Sequence, residues 1–82
     1  MGERLGTKRP REVIKALEIL GGEVIELRGK VMGKGSHTAV RMPGVARPVV
    51  VQDAEYSREM LRNIARQAQV KWEDFVRAFD QI

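Results

Sequence analysis

Cysteine is absent from this chain, which excludes disulfide bridges and thiolate metal sites and fits a reducing compartment. No stretch approaches the ~20 consecutive apolar residues that a membrane span requires, and the N-terminus has no apolar run of the kind a secretory leader carries. Gly2 raises the question of myristoylation, but Gly6 stands where that motif wants Ser or Thr. Low-complexity tracts, Walker-type loops, zinc-ligand spacings and a Ser-His-Asp order are all missing. The expectation is a soluble, cytoplasmic protein without a metal or small-molecule cofactor. Eighty-two residues are too few to bury two independent cores. One domain is therefore expected over 1–82, with residues 1–8 fraying and a core over 9–80.

Acidic residues are lacking in one place that matters. Between Glu26 and Asp53 there is none, whereas Arg28, Lys30, Lys34, Arg41 and Arg47 all fall there. The remainder of the chain is close to neutral. A basic middle on a neutral scaffold suits a polyanion, and nucleic acid is the commonest one. The competing reading is a surface made basic for solubility alone.

What the chain does contain is a clear alternation of periods. Val13, Ile14, Leu17 and Leu20 recur at helical spacing behind Pro10 and stop at Gly21-Gly22, which predicts a helix over about 9–20. Residues 23–28 alternate with period two, so a strand is expected with Ile25 and Leu27 on the core side and Val24, Glu26 and Arg28 opposite. The glycine-rich stretch 29–35 reads as a hairpin connection, followed by a strand over about 36–42. Pro43-Gly44 marks a turn into a third strand over 47–52, which Pro48 places at an edge. Ser57 is a plausible N-cap for a helix over 58–69, and Trp72, Phe75, Val76 and Phe79 define a short last helix whose aromatics belong to the core. The order α-β-β-β-α-α describes an α+β domain, with a three-stranded antiparallel meander and helices on one face.

His37 is the single histidine, and it follows Gly33-Lys34-Gly35-Ser36. Glycines let backbone N–H groups approach a phosphate closely, lysine adds charge, and an imidazole titrating near ~6.5 transfers protons at neutral pH. If Val40 and Met42 face the core, then His37, Ala39 and Arg41 face outward, joined there by Glu26 and Arg28. A surface histidine beside an ordinary glycine hairpin is the plain alternative. Arg58, Arg62 and Arg66 draw a basic line along the second helix, which is expected to be a solvated face.

Gly35-Ser36-His37, placed after a helix and a strand and before Arg41-Met42-Pro43, resembles the Gly-Ser-His signature of the HicA toxins. The run Met60 to Ala68, followed by Trp72-Glu73-Asp74-Phe75, is similar to that family's closing helices. The likeness covers about residues 10–80. It departs in a longer connection before Gly35 and in Gln52-Asp53, which stands where relatives often carry a second histidine. The resemblance implies a double-stranded-RNA-binding-domain-like fold. It also implies an mRNA interferase that cleaves RNA with its motif histidine, here His37, flanked by Gly35 and Ser36. The implied protein partner is a HicB-type antitoxin from the same bacterial or archaeal operon. Lys34, Lys30, Arg41 and Arg28 join the expected RNA-binding set on charge and strand parity. The alternative is a non-catalytic RNA-binding module, and a more distant one is an adaptor for an acidic protein.

Overall fold

The computed structural model describes residues 6–25 and 37–82, with His37 described by its backbone alone. Among the described residues six elements follow one another: α1 (Pro10–Ile19), β1 (Glu23–Ile25), β2 (His37–Arg41), β3 (Val49–Gln52), α2 (Arg58–Ala68) and α3 (Trp72–Phe79). The three strands form an antiparallel sheet in the order β1-β2-β3. The described residues form an α+β domain of three helices and one three-stranded antiparallel sheet. Among the described residues no helix is long and apolar enough to cross a membrane.

Local chemistry sets the ends of these elements. Pro10 opens α1, where a missing N–H costs nothing, and the Glu12 carboxylate accepts from the Arg9 N–H at 2.8 Å. At the other end, the Gly22 N–H returns to the Leu17 carbonyl (2.8 Å) and the Gly21 N–H to Glu18 (3.0 Å). That is a Schellman closure, and it needs the left-handed backbone that Gly21 supplies at φ 101°. The Ser57 hydroxyl caps α2 by accepting from the Met60 N–H. Tyr56 and Leu61 flank that cap, both buried, as a hydrophobic staple. Between β2 and β3, the Val45 N–H bonds the Met42 carbonyl with Pro43 and Gly44 (φ 73°) in the centre. These are the residues a type II turn requires.

The core lies between one face of the sheet and the helices. Val40, Val49 and Val51 project from the sheet, with Met42 just beyond β2, into a cluster with Val13, Leu17, Leu61, Ile64, Phe75 and Phe79. Helix α1 packs across all three strands, while α2 touches β3 and α3. The aromatics of α3 sit as expected: Phe75 is fully buried, 4.9 Å from the Phe79 ring and 6.2 Å from that of Trp72. Lys8 forms an isolated bridge with Tyr56 and holds its ammonium 5.1 Å from the Phe79 ring. The start of the chain is thereby tied to the segment that enters α2.

The facing of β1 is opposite to the expectation from alternation. Ile25 stands opposite Ala39, and Val24 stands opposite Val40. Because opposed residues share a face, Val24 is on the core side and Ile25 on the outer side. The reason lies just upstream. A Cβ on Gly22 would come within 2.7 Å of Val40 Cγ1 and 2.8 Å of Met42 Sδ, so the chain enters β1 with position 22 pressed on the core face. Alternation then sends 23 and 25 outward. Val24 remains 42% exposed even so, because β1 is an edge strand. Period two identified a strand but could not say which of two apolar sets faced inward. The expected placements of Leu27, Glu26 and Arg28, and the hairpin over 29–35, lie outside the described residues.

Candidate nucleic-acid interface

The sheet face turned away from the helices is organised in rows. Register places His37 opposite Gln52, Ala39 between Ile25 and Val50, and Arg41 opposite Glu23. Positions 37, 39 and 41 therefore share this outer face, as expected for β2, while Thr38 and Val40 alternate to the other. The middle row is apolar. Val50 is 40% exposed, and Ala39 is fully covered although it belongs to the outer face. Its short side chain lies in the centre of the sheet with larger neighbours on both flanks.

The end row is held tightly. The Gln52 N–H donates to the Tyr56 hydroxyl at 2.8 Å, so it points away from β2 toward the sheet edge. A residue whose N–H faces outward belongs to a non-hydrogen-bonded pair, in which the two Cα atoms approach to roughly 4.5 Å. His37 thus begins β2 at a narrow pair whose partner strand is anchored by a buried phenol. Tyr56 was not foreseen as part of this region. An aromatic directly before an N-cap and five residues before an apolar helix position is the staple pattern that could have revealed it.

Arg41 shares the outer face with His37 but not its neighbourhood. Four residues of strand separate them, roughly 13 Å, and Glu23 is the residue opposite Arg41. Arg41 therefore stands at the far end of β2 from His37, beside Glu23. Gly35, Ser36, Lys34, Lys30 and Arg28 lie outside the described residues, as does Glu26.

Two open grooves flank the β2–β3 turn and meet at Val45 and Ala46. The first, of 540 Å³, contains Glu23 and Arg41. The second, of 490 Å³, contains Arg47, Arg66, Gln67 and Gln69. On α2, the Arg62 guanidinium lies 4.5 Å from the centre of the Trp72 ring, so the middle arginine of the basic line is stacked as well as solvated. Among the described residues no cluster of three His, Cys, Asp or Glu side chains could hold a metal ion. Compared with protein-family models, with curated proteins and with solved structures, the chain gives no match.

Proposed function

We propose that this protein is a HicA-type toxin, an endoribonuclease of double-stranded-RNA-binding-domain-like fold that cleaves mRNA with His37. The observation that carries this reading is the position of Gly35-Ser36-His37: the signature ends on the first residue of β2, on the face the helices leave uncovered. The surrounding segment has no acidic residue from 27 to 52. Phosphate would meet cations and no opposing carboxylate within that span.

The chemistry is transesterification without a required metal. The ribose 2′-oxygen forms a bond to phosphorus as the bond from phosphorus to the 5′-oxygen breaks, leaving a 2′,3′-cyclic phosphate and a 5′-hydroxyl. His37 takes the 2′-OH proton as general base or returns one to the 5′-oxygen as general acid. Water serves the other transfer. Lys30 and Lys34, with backbone N–H groups at Gly35 and Ser36, hold the phosphate and its developing charge, and Arg41 serves an adjoining phosphate. A HicB-type antitoxin silences the enzyme by covering the outer sheet face, in the cytoplasm of the producing cell.

The test is cleavage of a labelled single-stranded RNA by the parent and by His37→Ala. A positioned proton-transfer group contributes ~10²–10⁴-fold, so the rate should fall by at least a hundredfold with the thermal midpoint unchanged. Equal rates would sink the mechanism. RNA affinity without cleavage by either protein would leave the non-catalytic binding module in its place.

A further inference from the structure

We infer that the groove between the β2–β3 turn and the end of α2 is a second RNA-backbone site, in which Arg47 and Arg66 bind a phosphate distant from the one at His37. The inference rests on the RNA-directed reading above and adds to it a site that the Gly-Ser-His signature does not touch.

The two grooves beside the turn differ in charge, and the difference selects one. In the first, Glu23 stands opposite Arg41 and offsets it. The second is lined by Arg47, from the turn before β3, and by Arg66 of α2, with Gln67 and Gln69 beside them, and among the described residues its lining contains no carboxylate. The C-terminus of α2 contributes about half a negative charge there. Two full cations outweigh it, so the groove attracts anions. Among the described residues neither Arg47 nor Arg66 is engaged in an ion pair, and both are exposed.

Geometry favours a linear polyanion over an isolated ion. Arg47 precedes Pro48, which holds its backbone extended, while Arg66 is fixed on the last turn of α2. The groove is open and joins its neighbour at Val45 and Ala46, which leads back to Arg41 on the outer sheet face. A strand of RNA crossing the turn would pass from His37 along β2 to this groove. Arg47 stands roughly 15 Å from the His37 end of the sheet, a span of a few nucleotides. Two guanidinium forks suit phosphodiester oxygens, and no base-reading pocket is needed.

The experiment measures binding of a fluorescein-labelled twelve-nucleotide single-stranded RNA across a salt series. All proteins carry His37→Ala, so that the RNA persists. Arg47→Gln/Arg66→Gln is compared with the otherwise unaltered chain and with Arg11→Gln/Lys15→Gln, a charge-matched change on the exposed side of α1. Each lost phosphate contact reduces the slope of log affinity against log salt by about 0.7. The groove variant should therefore lose about 0.7 of slope, and the α1 variant should lose far less. An unchanged slope in the groove variant, or an equal loss in both variants, overturns the groove while leaving the RNA-directed reading standing. No RNA affinity in the unaltered chain at low salt overturns both. Unchanged thermal midpoints show that the variants are folded.

Discussion

The two faces of β2 carry alternate residues of one short strand, yet they are built for different ends. Toward the helices, Val40 and Met42 are sealed in a continuous apolar cluster. Away from them lie positions 37, 39 and 41, where Ala39 is covered and Arg41 is exposed. The contrast teaches that stability and candidate function are divided by strand alternation. A change on one face should be felt as folding free energy, and a change on the other as binding or rate.

The largest stability effect should come from the helical layer over the inner face. Phe75 is fully buried and touches both other aromatics of α3. Phe75→Ala should cost about 3–5 kcal/mol through the lost contacts and the cavity left behind. A domain of this size has a total of only ~4–12 kcal/mol, so the variant should be largely unfolded in mild urea. A loss below about 1 kcal/mol in urea titration would show that the apolar cluster is not the seat of stability.

Gly22→Ala tests how the inner face sets the parity of β1. The added methyl would meet Val40 Cγ1 at 2.7 Å and the Leu17 carbonyl oxygen at 2.8 Å. The carbonyl is part of the helix closure and cannot swing aside, so a loss of about 1–3 kcal/mol is expected, as for overpacking elsewhere. A neutral substitution would mean that the close approach of positions 22 and 40 does not constrain the strand. Chemical denaturation monitored by Trp72 fluorescence would report either result.

These two positions also mark what could be read in advance. The last helix was legible because Trp72, Phe75 and Phe79 repeat at a period only a helix satisfies. The turn at Pro43-Gly44 was legible because each residue supplies the backbone angle its position requires. The facing of β1 was not, since Val24 and Ile25 are equally apolar and the deciding contact comes from a glycine with no side chain to be noticed. The Tyr56 bond to Gln52 was hidden for a related reason: it depends on the chain turning between β3 and α2, which no local period encodes. At the candidate site, spacing and parity identified the outer positions of β2. The strand-length separation of Arg41 from His37, and the groove that Arg47 and Arg66 both line, emerge only when the turn is folded back toward α2.

The smallest effect should come from Val50→Thr, which sharpens the comparison most. Val50 lies in the apolar row of the outer face and is 40% exposed. Threonine keeps the β-branched shape that suits a strand, and its hydroxyl can reach water, so stability should move by less than about 0.5 kcal/mol. The same exchange at Val49, one position away and fully buried, would bury a hydroxyl and should cost about 1–3 kcal/mol. The ratio of the two costs therefore measures how completely the faces are separated. If both variants lose the same stability in parallel urea titrations, the outer face is part of the folding core, and a partner or RNA could not be offered that surface without cost to the fold.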